Sequence, residues 1–233
     1  MHTNGRQRAV LATWLLIIGF AAAMFLVRSP VVPSASGTTA TAIPAPTVDE
    51  PSSGRPKPET AVLAGGCFWG VQGVFQHVKG VSSATSGYAG GDAASANYET
   101  VSSGTTGHAE SVRITYDPTQ ISYGQLLRVF FAVALDPTEL NAQGPDVGTQ
   151  YRSVIFAQDD TQRNIANAYI AQLNGAGVFP APIVTTVSSG QFFPAEGYHQ
   201  NFFDLHPNNP YIVANDLPKV NALRSDFPEL YKD

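Results

Sequence analysis

The chain has 233 residues with 13 Lys/Arg against 18 Asp/Glu, a net charge of −5 with His neutral. Five of the basic and three of the acidic residues precede residue 60, so residues 60–233 carry 8 against 15, a net of −7. That balance excludes a basic nucleic-acid surface and any electrostatic attraction of the folded part to anionic lipid, and a single cysteine, Cys67, excludes an internal disulfide.

Residues 9–27, AVLATWLLIIGFAAAMFLV, are an uninterrupted apolar run of 19. As a helix this is long enough to cross the hydrocarbon core of a bilayer. Arg6 and Arg8 precede it and only Arg28 follows closely, which predicts a cytoplasmic N-terminus and a chain that continues outside the cytoplasm, on the periplasmic side. The alternative is a signal peptide cleaved near residues 34–36, although a signal core spans only about 7–15 residues. Residues 1–28 are therefore read as a membrane anchor or signal segment. Residues 29–59 are rich in Pro, Ser, Thr and Ala and lack aromatics, the composition of an extended, mobile linker. Residues 60–233 are the folded part, enough for one core and one domain.

Within it, TAVLA (60–64) reads as a short buried strand ending at Gly65-Gly66. Phe68, Val71, Phe75 and Val78 then recur at helical spacing, which places Cys67 in the first turn of a helix that Gly80 closes. Residues 82–110, dense in Gly, Ser and Thr, read as a long functional loop. SVRITY (111–116) alternates as a strand. Ser122 and Gln125 predict a capping box opening a helix to about Ala134, stopped by Asp136-Pro137. ELNAQGPDVGTQ (139–150) is a polar loop and YRSVIFA (151–157) a strand. Asp159 or Asp160 caps a helix ending at Gly175, APIVTTV (181–187) is a strand, and GQFFPAEGYHQNFF (190–203) an aromatic loop or short helix. Asp216 and Pro218 open a last short helix. Strands spaced by helices predict an α/β domain of α+β type, a two-layer mixed sheet with flanking helices and long functional loops.

The chemistry centres on LAGGCFWGVQGVF (63–75). A helix N-terminus offers unpaired N–H groups and a partial positive charge, which predicts a lowered thiol pKa at Cys67. Phe68 and Trp69 beside it suit a cleft for an apolar or sulfur-bearing group. Assistance comes from SGTTGHAES (103–111): Glu110 as an acid if an apolar cleft raises its pKa, or His108 as a base or a turn-capping group. His199 and His206 have a spacing that fits no metal-ligand pattern, so no metal is expected. A cysteine hydrolase using Cys67 with His108 or His199 is one alternative; a tethered binding domain without catalysis is another.

GCFWG (66–70), SGYAGG (86–91), TGHAESVRITYDP (106–118), DPT (136–138), QGPDVGTQYRS (143–153) and PAEGYHQNF (194–202) together resemble methionine sulfoxide reductase A, in that family's order and over nearly all of residues 60–206. The resemblance implies thiol-dependent reduction of methionine S-sulfoxide, free or in proteins, to methionine through a cysteine sulfenic acid, as a repair function. It puts the nucleophile on Cys67, the methyl-binding pocket on Phe68 and Trp69, the acid on Glu110, the hydroxyls that hold the sulfoxide oxygen on Tyr98 and Tyr151, and Asp146 in the same polar shell. It implies no bound cofactor and an external thiol reductant such as a thioredoxin-like protein. The further C-terminal cysteines that many members use to resolve the sulfenic acid are missing here. Leu135 stands where a His commonly precedes the Asp-Pro pair, and Ala142 where an Arg commonly precedes Gln143.

Overall fold

The computed structural model of the protein describes residues 43–50 and 57–233. The apolar run at 9–27 lies outside them, and among the described residues no helix is long and apolar enough to cross a membrane.

The centre is a six-stranded sheet of order β7-β6-β1-β3-β2-β8, built from β1 (Glu59–Ala64), β2 (Val81–Ala89), β3 (Ala109–Tyr116), β6 (Val154–Phe156), β7 (Thr186–Ser188) and β8 (Phe192–Pro194). All neighbouring pairs are antiparallel except β6 and β7. With its helices this is the mixed α+β architecture expected from the alternation of elements. β1 is apolar at every position from Ala61 to Ala64 because both faces are covered. Ala61 and Leu63 enter the main core, while Val62 and Ala64 pack with Ala89, Ala109, Val154 and Phe156 on the other face.

Helix α1 (Phe68–Gln76) lies on the main-core face, burying Phe68, Val71, Val74 and Phe75. Helix α3 (Tyr123–Val129) opens on the predicted capping box: the Ser122 side chain accepts from the Gln125 N–H, and the Gln125 side chain accepts from the Ser122 N–H. It runs on through a wide π-type turn, Phe130–Ala134. Helix α4 (Asp160–Gly175) is capped by Asp159. The remaining elements are short: α2 (Tyr98–Val101), the two-residue pair β4 (Ala142–Gln143) and β5 (Asp146–Val147), α5 (Phe202–Leu205), and α6 (Leu217–Asp226).

The structure corrects three expectations. Residues 82–110 are not one long loop: β2 occupies 81–89 and pairs with β3 over eight positions. Its Ser and Gly are poor strand formers, but cross-strand pairing on both edges overrides propensity. A Cβ on Gly87 would sit 2.3 Å from the Phe193 carbonyl, so glycine there marks close backbone approach. The strand expected at 181–187 shrinks to Thr186–Ser188; the Ile183 and Val184 N–H groups are spent on the Asn174 side chain and the Pro137 carbonyl instead of a ladder. The last helix does open where Asp216 and Pro218 put it: Asp216 is the N-cap residue of α6 and the proline lies in its first turn, although the Asp216 side chain makes no capping hydrogen bond. A π-type turn, Ile212–Asp216, leads straight into that helix and the Asp216 carboxylate is fully buried.

The third correction concerns the linker. Residues 43–50 are docked on the domain. Ile43 is fully buried in the main core, its carbonyl accepts from Arg128 Nε at 3.1 Å, and the Pro44 carbonyl accepts from the Tyr169 hydroxyl at 2.8 Å. Asp49 accepts from the Gly124 N–H at 2.8 Å, a carboxylate at the start of α3 where the helix dipole favours it. Composition hid this because one apolar anchor suffices when neighbouring carbonyls find donors. Ile43→Ala is expected to lower unfolding stability by about 2–5 kcal/mol, the range for a buried aliphatic truncation. Urea unfolding checks it; a change below about 0.5 kcal/mol, the size of a surface substitution, contradicts the docking.

Candidate active site

Cys67 is the N-cap residue of α1, one position earlier than the sequence suggested. Gly66 before it has φ +90, and a Cβ there would lie 2.5 Å from the Gln143 side chain, so the turn needs glycine on both counts. Gln143 in turn accepts from the Asp136 N–H at 2.6 Å and donates to the Asp136 carbonyl at 3.0 Å, tying the 136 and 143 loops beneath the thiol.

Glu110 belongs to β3, two residues from Val112 and on the same face as Val112, Ile114 and Tyr116. It is therefore delivered under the start of α1, where it accepts the Phe68 N–H at 3.0 Å and is only 3% exposed. Burial, helped by the nearby Asp146 charge, pushes its pKa up to about 8; the Phe68 hydrogen bond opposes this and loses. Glu110 thus holds a proton at neutral pH.

The thiol does not follow the helix-terminus expectation. Burial first, then the charges of Glu110 and Asp216, push the Cys67 pKa well above that of a free cysteine; hydrogen bonds from the Trp69 N–H and the Tyr211 hydroxyl act the other way. The partial charge of one helix end is smaller than the cost of an anion at 8% exposure beside two carboxyl groups. In the unliganded site the sulfur is a thiol.

A cavity of about 200 Å³ is lined by Cys67, Phe68, Trp69, Tyr98, Glu110, Asp146, Tyr151 and Tyr211. All seven residues picked out in the sequence meet there. Trp69 is locked from three sides: stacked on Phe202 at 3.8 Å and 9°, edge-on to Tyr211, and donating its indole N–H to His199 Nδ1 at 3.2 Å. Tyr98 is held through its helix: Glu196 accepts the Tyr98 N–H at 2.9 Å and the Tyr88 hydroxyl at 2.8 Å. Its ring packs 4.5 Å from that of His199. Asp146 accepts a hydrogen bond from the Tyr211 hydroxyl. Burial raises the Tyr151 pKa, so its hydroxyl stays a donor. The Arg152 guanidinium donates to the carbonyls of Gly107, His108 and Thr149 at 2.7–3.0 Å, bracing the start of β3 against the loop that carries Tyr151.

Neither histidine of the hydrolase alternative lines the cavity. His108 Nδ1 accepts from the Gly91 N–H at 3.3 Å, which puts its proton on Nε2, 3.0 Å from the Asp92 carbonyl; it is a buried loop clasp. His199 is engaged by Trp69, and burial lowers its pKa. Among the described residues no His/Cys/Asp/Glu group forms a metal cage. Leu135 is 8% exposed and belongs to the apolar core, and Ala142 sits in β4 opposite Val147; neither removes a group from the cavity.

Tyr211, Glu196, Arg152 and Phe202 escaped the sequence reading as site residues. Glu196 and Phe202 lie in or next to PAEGYHQNF and Arg152 in QYRS, so their neighbourhoods carried a signal; Tyr211 had none, because it comes from a Pro/Asn-rich connection (HPNNPYIVAND) after the last motif.

A sequence profile described as peptide methionine sulfoxide reductase matches residues 59–230. The chain is 65% identical over 179 residues to "Peptide methionine sulfoxide reductase MsrA 2" of Mesorhizobium japonicum, covering 76% of this chain and 92% of that protein. It is 48% identical over 193 residues to the protein of the same description from Synechocystis, covering 82% and 90%. Among solved structures it is similar to Mxr1 from Saccharomyces cerevisiae in reduced form, with a TM-score of 0.58 and 32% identity over 66% of this chain and 88% of that one. It is also similar to methionine sulfoxide reductase A of Corynebacterium diphtheriae, with a TM-score of 0.56 and 34% identity over 67% and 78%.

Proposed function

The chain belongs to the peptide methionine sulfoxide reductase family, and from that premise we propose how its residues divide the reaction. The protein is a methionine sulfoxide reductase of the A type, an oxidoreductase that repairs oxidised methionine. Our reading gives it the S-sulfoxide as substrate. The observation that carries the division of roles is the single cavity in which thiol, neutral carboxyl, two phenols and two aromatic walls converge.

Phe68 and Trp69 receive the methyl group. The sulfoxide oxygen accepts from Tyr98, Tyr151 and protonated Glu110, which makes the substrate sulfur electrophilic. Binding also displaces water, so the oxygen's developing charge is met by fixed donors. As substrate binds, Cys67 releases its proton to solvent and attacks that sulfur, with the Trp69 N–H and Tyr211 hydroxyl stabilising the thiolate; solvent later returns one proton to Glu110. Glu110 protonates the oxygen as it transfers. The balance is a thiol plus a sulfoxide giving a sulfenic acid plus a thioether, the substrate sulfur gaining the two electrons that Cys67 loses. Asp146 keeps Tyr211 in place. No bound cofactor takes part; an external thiol, supplied by a thioredoxin-like protein, returns Cys67 to its reduced state.

We further propose that residues 9–27 anchor the chain, with the catalytic domain on the periplasmic side, a reading supported by the apolar run and by Arg6 and Arg8 before it.

Mixed with a stoichiometric dabsylated methionine S-sulfoxide and no thiol, the full chain is expected to release one methionine per Cys67, to become labelled there by a sulfenic-acid-specific dione, and to leave the R epimer untouched. Absence of that burst, with amide or ester hydrolysis in its place, would favour the hydrolase.

A further inference from the structure

With one cysteine in the chain, the sulfenic acid on Cys67 has to be reduced by a thiol from outside it. Cys67 is nearly covered, yet it lines a second cavity besides that of the substrate. This one, of about 70 Å³, is enclosed by the loop 143–146, Tyr211, Asn215 and Lys219. Asp146 and Tyr211 line both cavities, so these two side chains stand between them. The walls differ in kind. The larger cavity has the aromatic cage and no basic side chain in its lining. Besides the shared Cys67, Asp146 and Tyr211, the smaller has Gln143, Gly144, Pro145, Asn215 and Lys219, whose ammonium is 3.6 Å from the buried Asp216 carboxylate.

Building on the reductase reading above, we propose that the smaller cavity is the port through which the reducing thiol reaches Cys67. Displacement at a divalent sulfur is collinear: the attacking sulfur enters opposite the atom that leaves. The departing oxygen lies where the sulfoxide oxygen lay, beside Glu110, Tyr98 and Tyr151 in the larger cavity. The line of attack therefore runs in from the other side of the sulfur. The incoming thiolate forms the S–S bond, the S–O bond breaks with its electron pair on oxygen, and a proton from Glu110, re-protonated after the first step, completes water. A second thiol then attacks the mixed disulfide, leaving the donor oxidised and Cys67 reduced. Lys219 receives the donor in its thiolate form. Because the two cavities share only Cys67, Asp146 and Tyr211, methionine still bound against Phe68 and Trp69 does not block the thiol.

The test separates the half-reactions on the full chain. Asn215→Trp, which puts bulk in the lining of the port, is expected to give the wild-type methionine burst without thiol. Reduction of its sulfenic acid should be slower by about tenfold or more, since a nucleophile displaced from its line by about 1 Å loses up to about 100-fold. The slowing should be seen with dithiothreitol and with reduced thioredoxin alike. In the wild type, saturating N-acetylmethionine methyl ester should leave the dithiothreitol rate unchanged. Gly144→Asn serves where the Trp variant does not fold: its φ of +57 suits Asn, and a Cβ there meets nothing within 4 Å. Unchanged reduction in these variants, slowing with thioredoxin alone, or competition by the methionine ester would each overturn the port. A wild-type chain with no burst would instead overturn the reductase reading on which the port rests.

Discussion

Cys67→Ser is expected to abolish turnover of dabsylated methionine S-sulfoxide with dithiothreitol as donor, a loss on the order of 10⁶-fold, the scale seen when a covalent nucleophile is removed. A serine hydroxyl does not become an anion at neutral pH, and its oxygen cannot accept the sulfoxide oxygen as sulfur does. The fold should survive, because Cys67 is a small N-cap residue whose side chain makes no capping hydrogen bond. The cavity should survive too. Trp69, the only Trp in residues 60–233, should still report substrate binding through its fluorescence. Turnover above the no-enzyme background in this variant would remove Cys67 from the nucleophile's role; lost turnover together with lost binding would reduce the result to a collapsed site.

Glu110→Gln carries the second large effect, and it acts on rate and stability in opposite directions. A positioned general acid contributes about 10²–10⁴-fold, so methionine release in a single turnover should slow by that order. On the roles proposed above, the active form carries one proton between Cys67 and Glu110, held by the carboxyl. The wild-type rate then rises as the first of the pair deprotonates and falls when the second does. Gln cannot lose a proton, so the alkaline limb should vanish and the slow residual rate should climb with pH until Cys67 is fully ionised. A retained alkaline limb would assign it to another group.

The stability side follows from the same burial. Glu110 titrates near 4.5 when solvated and at about 8 in the fold. Between those values the folded chain binds more protons than the unfolded one, so stability falls as pH rises, by about 3 kcal/mol at pH 7. Gln escapes this loss, and its side-chain oxygen can still accept the Phe68 N–H. Thermal and urea unfolding should find the variant equal to wild type near pH 4 and more stable by up to about 3 kcal/mol at pH 7. A variant less stable than wild type at neutral pH would mean that Glu110 is held as a paired carboxylate.

Chain order alone was enough for the elements whose signal is local. The apolar run of β1, the capping box at Ser122, Asp159 before α4 and the turn at Gly65-Gly66 all appear where the sequence puts them, because each depends on side chains within a few residues. β2 was missed for the opposite reason. Its Ser-rich strand exists only because β3 and β8 pair on its two edges. Glu110 was half legible: the alternation through Val112, Ile114 and Tyr116 extends back to it, but a loop was assumed to end at 110, and the face it shares became visible only once the strand started at Ala109.

The sequence by itself determined which groups are the candidates for the chemistry proposed here: one sulfur, the Glu110 carboxyl, two phenols and an aromatic pair, each tied to its own motif and all lining one cavity. Tertiary structure alone decided their charge states and their access. The neutral Glu110, the protonated Cys67, the Tyr211 between two cavities and the docked residues 43–50 all arise from segments far apart in the chain. Desolvation and Coulomb interactions depend on distance through space, and a linear sequence does not contain those distances.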